Sequence, residues 1–281
     1  MVLLNSQRSG LLYAVLAVLL FSTSPVLIRW AAPLSAYEIT AGRLAVAALA
    51  VLAVARSKGI ARQDWLAFAG FGLVTALHFL LYSAALSFTT VAHALALVYT
   101  APVFVTLASV WLLREPIERR KGWGMCIVVL GVVILAGFEP RFTGAMVVGD
   151  LLALGSAVMF GLYSVAGRSQ RTRYPLLTYA GFVYGLASLW ALPAAFINFT
   201  PQGYGTAQIA SVVALGLLPL GIGHTLYNAA LRRTHATYVN LIATQEVTGG
   251  VLLGVLLLQE IPTPQTLLGL VVMLLGAALL V

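Results

Sequence analysis

Charge and sulfur are scarce in this chain. Only 9% of its residues are charged, and Cys126 is the sole cysteine. One cysteine excludes an internal disulfide and a cysteine metal cluster. The four histidines, His78, His93, His224 and His235, form no short-spaced ligand motif. No metal or other cofactor is therefore expected, and no catalytic constellation marks an enzyme. No Walker-type glycine loop occurs, so ATP bound by this chain cannot supply energy. The longest loop, around Asn198 to Thr206 with Pro201, Gly203 and Gly205, is too short for a soluble domain.

What remains is apolar. A hydrophobic content of 61% and a mean hydropathy of +0.99 far exceed the roughly 45–50% apolar share of a soluble domain. Apolar runs lie at about 10–30, 34–55, 64–86, 92–113, 122–138, 146–167, 175–197, 208–230, 237–258 and 265–281. Each is near the ~20 residues that a helix needs to cross the hydrocarbon. The runs predict an all-α integral membrane protein of ten transmembrane helices, the fifth and tenth being the shortest. Barrel strands alternate polar and apolar residues, and these runs do not. The first run follows Arg8, but it is too long for a signal peptide and nothing soluble follows it.

The chain repeats itself. The stretch from Tyr82, YSAALSFTTVAHALALVYT, aligns without a gap at an offset of 145 with YNAALRRTHATYVNLIATQ from Tyr227. Tyr82 falls on Tyr227, Thr89 on Thr234, Glu115 on Glu260, Gly124 on Gly269 and Gly131 on Gly276. Upstream, at an offset of 139, Gly10 meets Gly149 and Phe21 meets Phe160. The expected halves are residues 1–143 and 144–281, five helices each, forming one transport unit.

Basic residues swap ends between the halves. Ser87 and Phe88 become Arg232 and Arg233, whereas Arg119, Arg120 and Lys121 become Pro264, Gln265 and Thr266. If positive charge marks the cytoplasmic side, the repeats are inverted, as an odd number of spans in each requires. With the N-terminus inside, Arg8, Arg56, Lys58, Arg62, Arg114, Arg119, Arg120, Lys121, Arg168, Arg171, Arg173, Arg232 and Arg233 are cytoplasmic. Arg141 is then the one basic residue in an external loop, and both termini are cytoplasmic. The formal charge of +8 is thus a topology signal, with anionic lipid as its partner, and not a nucleic-acid footprint. Small-residue spacings, Gly181 with Gly185 and Gly250 with Gly254, are read as packing within the bundle, so a monomer is expected.

Polar residues at membrane depth mark a candidate cavity. In the first span, hydroxyls precede Pro25 in the sequence FSTSP; either they repair a kink or the opening lines a polar cavity. Arg43 lies near the middle of the second span, where a lone charge costs at least ~2.5 kcal/mol and needs a partner or water. Thr75, His78 and Tyr82 stack on one face of the third span. The fourth offers His93, Tyr99 and Thr100, with Pro102 interrupting it as broken helices do in transporters. His224, Tyr227 and Asn228 form a polar face on the eighth. On the ninth, Tyr238, Leu241, Gln245 and Thr248 follow helical spacing, and Glu246 lies near the centre. The expected substrate-binding set is Arg43, His78, Tyr82, Tyr99, His224, Tyr227, Asn228, Gln245 and Glu246. Two readings of Glu246 stay open, an internal pair with Arg43 or a transport role; Glu115 and Glu260 read as solvated or capping helix ends.

These residues resemble the EamA-type transporters of the drug/metabolite superfamily. The resemblance covers essentially the whole length. It rests on Gly42 and Arg43 within ITAGRLAVAAL, on YSAALSFTTVAHALALVYTAPVF, on LLREPIERRKGWGMCIVVLGVVIL and on YNAALRRTHATYVNLIATQEV with Gln259, Glu260 and Gly269. The family pattern has a proline where this chain has Val247, a departure that leaves the substrate open and slightly favours the bacterial subgroup exporting aromatic and other neutral amino acids. The resemblance implies a multi-pass protein of a bacterial-type inner membrane that moves a small-molecule substrate by alternating access. A multidrug or cationic-compound exporter is the alternative. An intramembrane enzyme lacks clustered ligands, and a pure scaffold has no reason to bury polar residues in both halves.

Overall fold

A computed structural model describes residues 2–55, 59–113, 119–137, 143–170, 172–234 and 236–279. Among them there are helices and no strands. Backbone N–H and C=O groups find no hydrogen-bond partner in the hydrocarbon, and helices satisfy their own, so long apolar runs fold this way.

Helix α1 (Val2–Phe21) continues into α2 (Ser24–Trp30) across a one-turn break. Pro25 opens α2 and removes one backbone donor. The hydroxyls of Ser22 and Thr23 donate to the carbonyls of Val18 and Leu20 at 2.9 and 2.7 Å, carbonyls that the amides of the same two residues also reach. Helix α3 (Ala36–Val54) starts at a capping box in which Ser35 and Glu38 satisfy each other's backbone donors. Then come α4 (Trp65–Phe88), α5 (Val91–Val98) and α6 (Ala101–Leu113), the last two parted at Tyr99 and Thr100 just before Pro102. Helices α7 (Arg119–Gly137), α8 (Gly144–Ser169) and α9 (Leu176–Ile197) follow. Helix α10 (Thr206–Leu215) runs through a π-helical stretch, Gly216–His224, which holds Pro219, into α11 (Thr225–Arg233). The chain closes with α12 (Ala236–Ala243), α13 (Glu246–Leu253), a second π-helical stretch Gly254–Leu258, and α14 (Pro264–Leu279).

Seven helical spans among the described residues are long and apolar enough to cross a membrane: Arg8–Trp30, Ala36–Val54, Arg62–Phe88, Val91–Ala108, Gly144–Ser169, Leu176–Ile197 and Thr206–Arg233. Gly122–Gly131, Glu246–Leu258 and Pro264–Gly276 are shorter apolar helices. The break between α12 and α13 falls at the repeat offset from that between α5 and α6, yet Val247 stands where Pro102 would. The break persists without proline. The amides of Gln245 and Val247 bond three residues back, to Ile242 and Thr244, both at 3.0 Å, which is the tight turn that ends one helix and starts the next.

The helices pair closely: α7 on α14, α3 on α9, α4 on α8, and α1 on α11. Glycine permits the first pairing. A Cβ at Gly131 would stand 2.8 Å from the carbonyl oxygen of Gly269, and one at Gly276 would stand 2.9 Å from that of Gly124. Only a missing side chain allows backbones so near. Gly181 likewise abuts Leu52, and Gly250 abuts Leu95 and Pro25, inside the chain's own bundle.

Candidate functional site

The helix breaks meet around a small cavity. Six of the nine expected residues line it: Arg43, His78, Tyr82, Tyr99, His224 and Glu246. Phe21, Ser24, Phe79, Phe160 and Pro219 are further parts of the wall. Its volume is about 20 Å³, room for about one water molecule. Four of the interruptions contribute a lining group: Ser24 beyond the first, Tyr99 at the second, Pro219 in the first π stretch and Glu246 at the head of α13.

Two ionisable groups lie in this wall with different surroundings. Glu246 is buried and accepts a hydrogen bond from the Tyr99 hydroxyl. Arg43 is 1% exposed, and its guanidinium carbon stands 4.1 Å from the centre of the Phe79 ring. Such a desolvated cation–π contact contributes about 2 kcal/mol. Its Nε and Nη2 have no hydrogen-bond partner. No ion pair joins Arg43 to Glu246 among the described residues. The two groups share the cavity wall without a direct contact, and Arg43 keeps two donors unused.

Aromatic rings make the rest. His78 Nδ1 lies 2.9 Å from Ser156 Oγ and 3.1 Å from its carbonyl, while its ring stacks on Phe160 at 4.8 Å and 15°. His224 sits 4.4 Å from Phe21 and 4.9 Å from Phe79, centre to centre. Tyr227 and Asn228 stand one layer behind. Tyr227 bonds Ser164 at 2.7 Å and donates to Asn240 at 3.0 Å; Asn228 donates to the Tyr163 hydroxyl at 2.5 Å and to the His224 carbonyl at 2.9 Å. Gln245 is exposed, and its amide oxygen accepts from Thr248 at 3.4 Å, away from the cavity. His93 also lies elsewhere, buried 3.4 Å from Asp150.

Sequence reasoning missed Phe21, Phe79 and Phe160, because an apolar ring in a membrane helix reads as ordinary packing. A signal existed. Phe160 falls on Phe21 at the 139 offset and His224 on Phe79 at the 145 offset, so the repeat places both members of each pair in one wall.

The two ends of the bundle are tied by polar clusters. At one end Glu38 accepts from the Thr200 amide and hydroxyl, both at 2.9 Å, and from the Tyr204 hydroxyl at 2.8 Å. Burial, and then donation to that carboxylate, push the Tyr204 hydroxyl up to about 12. The same end holds Arg29 with Glu260, and Thr89, whose hydroxyl donates to Asp150 at 3.2 Å. At the other end Tyr174 donates to Asp64 and accepts from the Ala61 amide at 3.1 Å. There Arg173 pairs with Asp64 at 2.7 Å, Arg232 donates to the Tyr174 carbonyl at 2.7 Å, and Arg168 donates to the Thr234 carbonyl at 3.1 Å. Glu115, His235, Arg56, Lys58, Arg114, Arg141 and Arg171 lie outside the described residues.

Comparison with known proteins follows the same outline. The model of the EamA-like transporter family matches residues 8–137 and 147–281. A pseudopaline exporter of Pseudomonas aeruginosa (strain UCBPP-PA14) is 29% identical over 269 residues, covering 95% of this chain and 93% of the exporter. A protein of Streptantibioticus cattleyicolor named "Probable terminal-alkyne amino-acid exporter" is 28% identical over 178 residues, 62% of this chain and 58% of its own length. A crystal structure described only as that of a protein superposes with a TM-score of 0.74 at 24% identity, covering 97% of this chain and 96% of that one. It shares the fold.

Proposed function

The chain belongs to the EamA-like transporter family, and from that premise we propose that it exports amino acids, aromatic or other neutral ones above all, or similar small zwitterionic metabolites. It is a multi-pass membrane transporter and not an enzyme. One observation carries the cargo: Arg43, with two unpartnered donors, and Glu246, with Tyr99, lie in one wall of rings. A carboxylate would satisfy Arg43 by charge-assisted bonds. An ammonium would meet Glu246 and the faces of the rings, and an apolar side chain would fill the remainder. The amino-acid exporter among the relatives favours the same class.

The route is alternating access. A cavity that holds about one water admits no amino acid until its walls part. Ten crossings, including the three shorter apolar helices, in two inverted halves of residues 1–143 and 144–281 provide two walls that rock against each other. The family match over one stretch in each half supports that division. Arg168, Arg173, Arg232 and Arg233 gather at the end opposite Glu38 and Glu260, which supports cytoplasmic termini in a bacterial-type inner membrane. The chain acts as a monomer, its glycine contacts being used internally.

Counterflow in proteoliposomes tests the cargo. Labelled phenylalanine should exchange against phenylalanine and other neutral amino acids, and phenethylamine, which lacks the carboxylate, should not compete. Exchange of cationic dyes with no response to amino acids would reject the proposal for a cation exporter, the reading that Glu246 among aromatic rings favours.

A further inference from the structure

We propose that Arg29 and Glu260 form the latch that closes the cavity toward the Glu260 end, and that this ion pair parts in each transport cycle. Arg29 lies in the last turn of α2, and its Nη2 stands 3.1 Å from Glu260 Oε1 and 3.0 Å from the Thr89 carbonyl. The second oxygen, Glu260 Oε2, accepts from the Val91 amide at 2.9 Å. Thr89 supplies a carbonyl from the C-terminal end of α4, and Val91 an amide from the first turn of α5. Both are groups that a helix leaves without an internal partner. Two side chains therefore tie together α2, α4, α5 and the segment that follows the second π stretch.

The tie lies across the way out. The α2 rod carries Ser24 on the cavity wall and Arg29 at the latch; the rod from Glu246 to Leu258 starts at the wall and is followed by Glu260. The two rods pack directly on each other. A Cβ on Gly250 would collide with Leu95 and lie 3.3 Å from Pro25, and Gly249 abuts Ser22. Val91, Val251, Gly254 and Glu260 line a further cavity of about 610 Å³. With side-chain exposures of 30% and 28%, the two charges are within reach of water, so a parted latch can be solvated. A fully buried pair could not open at comparable cost.

The other end carries an equivalent contact. At the repeat offsets Arg29 and Thr89 fall on Arg168 and Thr234, and Arg168 Nη1 donates to the Thr234 carbonyl at 3.1 Å. An arginine that clips the end of the third helix of a half thus recurs at both faces, as two gates used in turn would need. This inference rests on the alternating-access reading but not on the cargo.

The test uses the full chain in proteoliposomes, with Cys126→Ser removing the exposed native thiol and Ser24→Cys as a reporter on the cavity wall. A membrane-impermeant methanethiosulfonate is added to the side bearing Glu260, with no amino acid present. Glu260→Gln and Arg29→Gln should each raise the reporter's labelling rate about tenfold, as loss of a hydrogen bond to a charged group shifts an equilibrium. Glu260→Asp, which keeps the charge with a shorter reach, should fall between. Labelling is scored only on protein that elutes monodisperse. Rates unchanged in both glutamine variants overturn the latch, and so does a rise seen only with reagent on the Arg168 side. A negative cargo panel leaves this result standing, because labelling needs no cargo.

Discussion

Arg43 and Arg29 have the same side chain and opposite circumstances. At the end of the bundle Arg29 gives one terminal nitrogen to both a carboxylate and a carbonyl, and water reaches it. In the cavity wall Arg43 has a ring face on one side, unpartnered nitrogens, and 1% exposure. A guanidinium at membrane depth costs several kcal/mol unless something compensates it, so packing gives no account of Arg43. Both arginines keep buried nitrogen without a partner, Nε in Arg29 and Nε and Nη2 in Arg43, but of the two only Arg29 also meets a carboxylate.

The comparison breaks most directly at Arg43. Arg43→Met should lower counterflow at least about a hundredfold, the loss of a charge-assisted bidentate contact, while the detergent melting temperature stays level or rises because an uncompensated buried charge has gone. Arg29→Met should show the opposite balance: a drop of about 1 kcal/mol in stability and continued, altered transport. A chain that unfolds on Arg43→Met would show that the guanidinium is structural.

Next in size is Tyr99→Phe, which strands Glu246 without its donor. A buried group left so costs about 1–3 kcal/mol, and more when charged, read as a fall in thermal stability. Because Arg43 and Glu246 share one small cavity without a direct contact, the double-mutant cycle Arg43→Met with Glu246→Gln should show a coupling of about 0.5–1 kcal/mol, the low end for neighbouring groups. A coupling of several kcal/mol would restore the internal-pair reading.

At the opposite end Tyr174→Phe removes a bond to Asp64 and one from the Ala61 amide. Stability should fall by about 1 kcal/mol. Arg173→Ala, at 51% exposure, should cost less than about 0.5 kcal/mol, as exposed ion pairs do. Equal and large losses at both positions would mean that this end, too, is held by its charges.

How much of this was legible in the sequence depended on which period survived folding. Apolar runs longer than ~20 residues announced their helices, and Pro25 and Pro102 announced two breaks. The break at Thr244 and Gln245 was not announced, since Val247 stands where a proline would be. Spacing in the ninth run was therefore read as one continuous helix. Consecutive helical residues point about 100° apart, so Glu246 can reach the cavity while its neighbour Gln245 turns outward beside Thr248. Tyr227 and Asn228 differ again: they are buried and polar as expected, but they stand behind the wall, where Ser164 and Asn240 bond Tyr227 and Tyr163 bonds the Asn228 amide nitrogen.

Gln245 supplies the smallest effect and the sharpest control. It was expected at the substrate site from its helical spacing, and it is exposed beside Thr248, its amide oxygen 3.4 Å from that hydroxyl. An exposed polar group at membrane depth gains nothing from the core, and a 3.4 Å hydroxyl contact is long for a hydrogen bond. Gln245→Leu should therefore leave stability within about 0.5 kcal/mol of the parent, as surface substitutions do. Counterflow should stay within about twofold, with no change in preference between phenylalanine and glycine. A large loss of transport at constant stability would mean that α12 and α13 rotate during the cycle and bring Gln245 to the substrate. The unpartnered guanidinium of Arg43 would then be one of two polar contacts that the wall offers in turn.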